Sequence, residues 1–149
     1  MQLSTPPNDP QLTLIANASK LQRFTSLLNS LSLEKDRITE ESQRVRPGRT
    51  CILQLPPDSQ SMYDAKNMYN GINPHFPIIF DDGVKWLLRV RQSHNGYPPH
   101  EIQRFVVRSE VTALTILKNG GVLVPDAWYP RPLIDGQSSQ PDLCYFFCQ

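Results

Sequence analysis

Two residues of opposite charge, Arg89 and Glu110, have the types and the spacing to form a cationic binding site. Glu110 lies on the apolar face of a predicted helix over residues 99–118, and Arg89 lies on a predicted strand upstream. A buried carboxylate without a cation is unfavourable, so we expect the two side chains to pair. An arginine held in this way offers a planar fork of donors to a phosphate or a carboxylate. The same pair would also serve a purely structural role, in which it ties the helix to the sheet.

The helix over residues 99–118 is predicted from apolar residues that recur every three or four positions. Pro98-Pro99 stand at its start, and Gly120-Gly121 provide a helix end. Glu110 falls inside the stripe that we expect to face the protein interior. The members of that stripe are Ile102, Phe105, Val106, Ser109, Glu110, Ala113, Leu114 and Leu117.

A β-hairpin is predicted directly before this helix. Residues 76–80 are apolar and rich in strand formers, Asp81-Asp82-Gly83 is a tight-turn sequence, and residues 84–91 form the second strand. Since side chains of a strand alternate between its two faces, Leu87 and Arg89 share one face. We therefore expect Leu87 to line a pocket for the apolar part of a ligand whose anionic part contacts Arg89.

The rest of the chain completes an α+β fold with a five-stranded antiparallel sheet, one packed helix and an N-terminal helical extension. We divide the chain into this extension, residues 1–50, and a sheet-containing domain, residues 51–149. The first helix should pack on the domain through its apolar residues; the alternative is that these residues form a partner-binding site. The highly charged second helix should be solvated. The remaining predicted elements are helices over 10–31 and 33–45 and strands over 51–55, 122–129 and 143–148.

The composition argues against several classes of protein. A chain of 149 residues with a net charge of +1 suits one domain without a nucleic-acid partner. It has no apolar run near the roughly 20 residues of a membrane span and no signal-peptide pattern, so we expect no membrane partner. Its three cysteines lack metal-ligand spacing, and we expect buried, reduced thiols and a cytoplasmic location. Serine, histidine and aspartate residues form no pattern for nucleophilic catalysis, and no metal site is predicted.

The order of these motifs resembles the amino-terminal lobe of the protein-kinase-like fold. More narrowly, residues 51–149 resemble the aminoglycoside phosphotransferase and choline-kinase-like enzymes of the fungal type. The order and the spacing of the motifs support the resemblance. The matching segments are Gly71-Ile72-Asn73, Phe80-Asp81-Asp82-Gly83, Trp86-Leu87-Leu88-Arg89-Val90, Ser109-Glu110-Val111, Val124-Pro125-Asp126 and Tyr145-Phe146-Phe147.

The resemblance implies ATP, with magnesium, as the cofactor. By the match, Arg89 binds the nucleotide phosphates and Glu110 holds Arg89, while Leu87, Gly71 and Asn73 also belong to the cofactor site. The loop that contains Gly71 has a single glycine, whereas the glycine-rich loops of kinases have several. Fewer backbone amides are then expected at the phosphates.

The function implied by the resemblance is the nucleotide-binding half of an ATP-dependent small-molecule phosphotransferase. The family's catalytic and magnesium-binding residues belong to a carboxy-terminal lobe, so we expect this chain alone to catalyse no transfer. The alternative is a non-catalytic remnant that acts as a binding module and self-associates through the surface that a second lobe would cover. A third reading is an unrelated α+β adaptor.

Overall fold

The chain forms an antiparallel sheet that has helices packed on both of its faces. The computed structural model describes residues 9–65, 69, 73–91, 98–131 and 144–149. The α+β class and the five-stranded antiparallel sheet are confirmed. In chain order the elements are α1 (Pro10–Val45), β1 (Cys51–Leu53), α2 (Ser59–Asp64), β2 (His75–Phe80), β3 (Lys85–Arg91), α3 (His100–Asn119), β4 (Ala127–Trp128) and β5 (Cys144–Cys148).

The predicted hairpin is the centre of the sheet, whose strand order is β1-β2-β3-β5-β4. Strands β2 and β3 are antiparallel, with Ile78 opposite Trp86. Gly83 adopts a φ of 83° in the connecting turn, a conformation that side chains disfavour. Because β5 lies between β3 and β4, Arg89 on β3 is opposite Phe146.

One face of the sheet is covered by α1, which is a single helix of 36 residues. The prediction of two separate helices was wrong, because no glycine or proline interrupts the chain between Pro10 and Pro47. The predicted packing of its apolar stripe is confirmed, because the stripe and the sheet share one core. The helical side of that core consists of Phe24, Leu27, Leu28, Leu31 and Ile38.

The charged half of α1 is also packed against the protein, contrary to the prediction that residues 33–45 are solvated. Glu34, Ile38, Glu41 and Ser42 are all buried. The carboxylates tolerate this position because arginines neutralise them. Arg37 pairs with Glu34 at 3.2 Å, and Glu41 has arginine partners on two sides.

The opposite face of the sheet receives α3, which packs on Phe146 of β5. The buried side of this helix runs through Gln103 and Val107, and only Val106, Glu110 and Leu114 of the predicted stripe are half-buried. The helix has apolar residues on more than one side, so periodicity alone did not determine its rotation about its axis. The prediction was wrong at five positions, which are exposed: Ile102, Phe105, Ser109, Ala113 and Leu117.

Two shorter elements also differ from the prediction. Strand β4 comprises only Ala127–Trp128 rather than residues 122–129, because Pro125 has no amide to donate to a ladder. The helix α2 was not predicted. Its first turn is capped by Asp58, whose carboxylate accepts from the backbone N–H of Ser61 at 2.7 Å.

The hairpin turn is tied to the end of α1 by an ion pair that should make stability depend on pH. Both guanidinium Nη atoms of Arg46 donate to the carboxylate of Asp82, at 2.8 and 2.6 Å. The hydrogen bonds from Arg46 hold the pKa of Asp82 well below its ordinary value. A lowered folded-state pKa stabilises the protein above the unfolded-state pKa of about 4, and this contribution is lost as the pH falls.

We therefore expect Asp82→Asn to reduce the loss of stability between pH 7 and about pH 2, measured as the change in the urea midpoint. The amide cannot titrate, so the variant should be less stable than wild type at pH 7 and similar to it in acid. Asp36→Asn, at an exposed position on α1, is the control for the loss of a carboxylate and should lower the urea midpoint at pH 7 less than Asp82→Asn does. The expectation would be contradicted if the urea midpoint of Asp82→Asn fell between pH 7 and about pH 2 by as much as that of wild type.

Candidate functional site

Arg89 lies on the central strand of the sheet, on the face that α3 partly covers. Its neighbours across the ladder are His75 on β2 and Phe146 on β5. The guanidinium carbon lies 5.1 Å from the centroid of the Phe146 ring, within the range of a cation–π contact. The Phe146 ring therefore lies against the guanidinium and limits the directions in which the arginine side chain can extend.

The helix supplies the anion that was predicted for Arg89. Nη1 of Arg89 donates to Oε1 of Glu110. The side chains are 25% and 31% exposed, so the pair lies at the rim of the helix–sheet contact rather than inside it. The expectation that Glu110 points into the interior was thus only partly met. An ion pair at a rim leaves the arginine accessible to a ligand.

The arginine retains unused donor capacity. Its Nε is buried and has no hydrogen-bond partner within the part of the chain that the structure describes. A planar guanidinium can bind a second acceptor on an edge that its first partner does not occupy. A ligand cannot reach the buried Nε directly, but the Arg89 side chain as a whole is 25% exposed and so stays partly accessible to a ligand while Glu110 holds it.

An open apolar surface lies beside the arginine, on the part of the sheet face that is not under α3. Leu87 is 40% exposed and shares this face with Arg89, and Ile52 on β1 is 61% exposed. Cys148 is opposite Leu87 in the ladder and donates its thiol to the Leu87 carbonyl at 3.6 Å. The arrangement suits a ligand with a flat apolar part and an anionic part.

The titratable neighbours of the pair add no negative charge to the site. Burial lowers the pKa of His75 below its ordinary value, and the nearby Arg89 lowers it further, while Glu110 opposes the change. The imidazole is therefore neutral at pH 7. Burial raises the pKa of the Cys148 thiol, which stays protonated at the same pH. An anionic ligand would thus encounter Arg89 without a competing carboxylate other than Glu110.

The predicted site residues are only partly brought together. Leu87, Arg89 and Glu110 lie side by side on one face. Asn73 is half-buried just before β2, next to Pro74, whose carbonyl accepts from the Val90 amide at 3.0 Å. Gly71 lies outside the described residues.

No metal centre or membrane span is found within the described ranges. These residues contain no group of three or more histidine, cysteine, aspartate or glutamate side chains that could hold a metal ion. No helix among them is both long enough and apolar enough to cross a bilayer. Asp81 and Asp82 at the hairpin contact Arg46, Arg49 and Thr50, so their role there is to fix the turn.

Sequence reasoning did not assign Phe146 and His75 to the site. Phe146 alternates with its neighbours on β5, so it was predictable that it faces away from Tyr145 and Phe147. Its position under Arg89 depends on the order of the strands, which the sequence does not state. His75 likewise lies opposite Arg89 only because of the hairpin register.

These features define an α+β protein with a strand-to-helix arginine–glutamate pair beside an open sheet face. The chain matches no family model, no curated protein and no solved structure. Inferences about its function therefore depend on the site itself.

Proposed function

We propose that this chain is the nucleotide-binding half of an ATP-dependent small-molecule phosphotransferase of the aminoglycoside phosphotransferase and choline-kinase-like type. The observation that supports the proposal most is the contact of Arg89, on the third strand, with Glu110, on the helix that follows. In protein kinases the lysine that pairs with the phosphates lies on the third strand and is held by a glutamate of the next helix. Here an arginine has the position of that lysine.

The residues of the site fit a nucleotide in two respects. The exposed Leu87 and the open sheet surface around it suit an adenine ring, which is flat and largely apolar. The guanidinium of Arg89, whose side chain is 25% exposed, suits a phosphate oxygen. Glu110 acts as a positioning residue, since it fixes the guanidinium before the ligand arrives. Gly71 and Asn73 are assigned to the phosphate loop by the resemblance alone.

The proposal assigns binding and orientation to these residues, and it assigns no transfer step to them. When bound, ATP would supply the γ-phosphoryl group for a hydroxyl acceptor, and magnesium would neutralise part of the phosphate charge. Within the described ranges no cluster of acidic side chains is available to share the magnesium ion. We expect this chain alone to show no ATP hydrolysis.

A second candidate function is a binding module in which the pair is structural. It is favoured by the two partners that Arg89 already has, the carboxylate of Glu110 and the ring of Phe146. These contacts connect β3, β5 and α3, and this structural role does not require a bound nucleotide. The two functions differ in whether ATP binds and in whether Arg89 is needed for it.

Calorimetric titration of the full chain with ATP and magnesium distinguishes the two. We expect measurable binding, and Arg89→Ala should weaken it at least about tenfold, because hydrogen bonds to charged groups contribute about 1.5–3 kcal/mol. Glu110→Gln should weaken binding by a smaller factor, since the arginine remains but is held less firmly. Arg108→Ala is the control, because Arg108 also lies over an aromatic ring, Tyr129, but away from the pair.

Absence of heat at about 10 mM ATP, a concentration that detects millimolar affinity, would exclude the nucleotide site and leave the binding module. Equal affinities of wild type and Arg89→Ala would exclude the assigned role of the arginine. Thermal unfolding of each variant without ATP separates a loss of binding from a loss of fold. Arg89→Lys provides a second, milder variant if the alanine variant unfolds.

A further inference from the structure

His75 lies directly beside Arg89, on the side of the arginine that is away from α3. The two residues are opposite each other in the ladder of β2 and β3. Side chains at opposite positions on one face of a sheet have Cβ atoms about 4.5–5.5 Å apart. Helix α3 packs on β5 and β4, which lie beyond the other edge of β3. Arg89 is therefore flanked by the Glu110 carboxylate on one side and by an imidazole on the other.

The imidazole of His75 has hydrogen-bonding capacity that the described part of the chain does not use. A neutral imidazole offers one donor and one acceptor nitrogen. No hydrogen bond of the His75 ring is found among the described residues. The side chain is half-buried, so part of it remains open to solvent. The ring can therefore bind a ligand without giving up a contact within these residues.

His75 belongs to the same open surface of the sheet as the proposed adenine site. The alternate residues of β2 from His75 to Ile79 are half-buried, whereas the residues between them are buried. The half-buried residues share a face with Arg89 and the exposed Leu87, which are opposite His75 and Pro77. A ligand that contacts Leu87 and Arg89 would thus have the His75 ring within reach.

The charged and titratable groups on this face favour an anion beside His75. Strand β3 provides the guanidinium groups of Arg89 and, two residues further along the same face, Arg91. Helix α3 provides the Glu110 carboxylate, and β5 provides the protonated Cys148 thiol. Burial, and then Arg89, lower the pKa of His75, and Glu110 offsets this only in part. A bound phosphate would act in the opposite direction, because an anion within about 4–6 Å favours the charged form of a histidine.

We propose that His75 is a second phosphate-binding residue of the Arg89 site, which takes up a proton as the phosphate binds and donates a hydrogen bond to it. The inference rests on the proposed nucleotide function and adds a residue and a proton to it. The proton comes from solvent, and no covalent bond is made or broken. A phosphate group has three oxygens, so it can accept from the guanidinium and from the imidazolium at the same time.

The proton uptake makes the contribution of His75 to affinity depend on pH. At pH 8 the ring is neutral in the free chain and contributes only a neutral hydrogen bond. Near pH 6 the ligand-bound ring is protonated, so the charged hydrogen bond adds to the affinity. A phosphate group itself loses negative charge towards its second pKa of about 6, which weakens binding in acid when no histidine is present. The effect of His75 is therefore measured against a variant that does not titrate.

Calorimetric titration of the full chain with ATP and magnesium at pH 6 and pH 8 tests the role of His75. We expect His75→Gln to weaken binding at least about fivefold at pH 6 and less than about twofold at pH 8, because glutamine keeps a donor but carries no charge. His100→Gln is the control and should bind as wild type does at both pH values. His100 is the first residue of α3, about 15 Å along the helix axis from Glu110.

An NMR titration of the His75 ring in the wild-type chain tests the same role without a variant. The pKa of His75 should be higher by about one in the presence of saturating ATP and magnesium than in their absence. Adenosine, which has the base and the sugar but no phosphate, should leave the pKa unchanged. Thermal unfolding of His75→Gln without ATP separates a loss of binding from a loss of fold.

Three results would overturn the role of His75 while Arg89→Ala still weakens ATP binding. One is a His75→Gln chain that binds ATP as wild type does at pH 6. Another is an equal loss of affinity at pH 6 and pH 8, which would exclude the proton uptake. The third is a His75 pKa that ATP does not raise. Absence of ATP binding to the wild-type chain would instead overturn the proposed function, and this inference with it.

Discussion

A chain that begins at Arg46, and so lacks α1, is expected to lose its cooperative fold. The helix supplies five apolar side chains to the main core, and burial of each is worth about 1.5–3 kcal/mol. Their sum, on the order of 10 kcal/mol, is comparable to the whole stability of a domain of this size, about 5–15 kcal/mol. The residues concerned are Phe24, Leu27, Leu28, Leu31 and Ile38.

The loss of the cooperative fold should be detectable by spectroscopy. Removal of α1 uncovers the sheet face that contains Trp86, Leu88 and Phe147, which are at most 2% exposed in the intact chain. We expect the shortened chain to show no sigmoidal transition in thermal circular dichroism and to bind a hydrophobic dye. An intact two-state transition near the wild-type temperature would mean that residues 51–149 fold alone, as the sequence-derived division at residue 50 implies.

A shorter deletion serves as the matched control. Residues 10–19 of α1 are exposed apart from the half-buried Asn17, whereas Lys20 lies over the rings of Phe24 and Tyr63. A chain that begins at Lys20 loses the Asp9 cap, worth about 1 kcal/mol, and no buried side chain. It should therefore keep a cooperative transition only slightly below that of wild type.

The parts of the fold that sequence reasoning identified are those with local signals. The hairpin has a turn sequence between two strands of period two, and α3 has a long apolar periodicity between a proline pair and a glycine pair. The contact of Arg89 with Glu110 was predicted from charge, because a helix carboxylate near the interior needs a cation.

The parts that were missed depend on contacts between distant segments. Glu41 is buried because Arg131, 90 residues later, donates to it. When the position of Arg131 is not known, the many charged residues in the second half of α1 predict a solvated helix. The rotation of α3 also depends on the sheet that it contacts, and so does the placement of Phe146 beneath Arg89.

Glu41, rather than Glu110, is expected to be the carboxylate on which stability depends most. Its oxygens accept from Nε and Nη2 of Arg131 at 2.8 and 2.7 Å, from the backbone N–H of Arg131 at 3.1 Å, and from Nε of Arg44 at 3.1 Å. The Glu41 side chain is 6% exposed, against 31% for Glu110. We expect Glu41→Ala to lower the free energy of unfolding by about 3 kcal/mol, and Glu110→Ala by about 1 kcal/mol or less.

Glu41 should also make the stability of the protein depend on pH. Burial alone would raise its pKa, but the hydrogen bonds from Arg131 and Arg44 outweigh burial and hold the pKa below its ordinary value. Stability from Glu41 is then complete above its unfolded-state pKa of about 4.3 and is lost as the pH falls. Urea unfolding at pH 7 and in acid should therefore show a smaller acid-induced loss for Glu41→Gln than for wild type.

The comparison of the two carboxylates also bears on function. If Glu110→Ala costs little stability yet weakens ATP binding, the main role of the Arg89–Glu110 pair is to bind the ligand and not to stabilise the fold. If Glu110→Ala instead destabilises the protein as much as Glu41→Ala does, the Arg89–Glu110 pair is a structural joint like that of Glu41 with Arg131. In that case the binding-module function becomes the better explanation, because the structural role of the ion pair is then sufficient to explain its presence without a nucleotide.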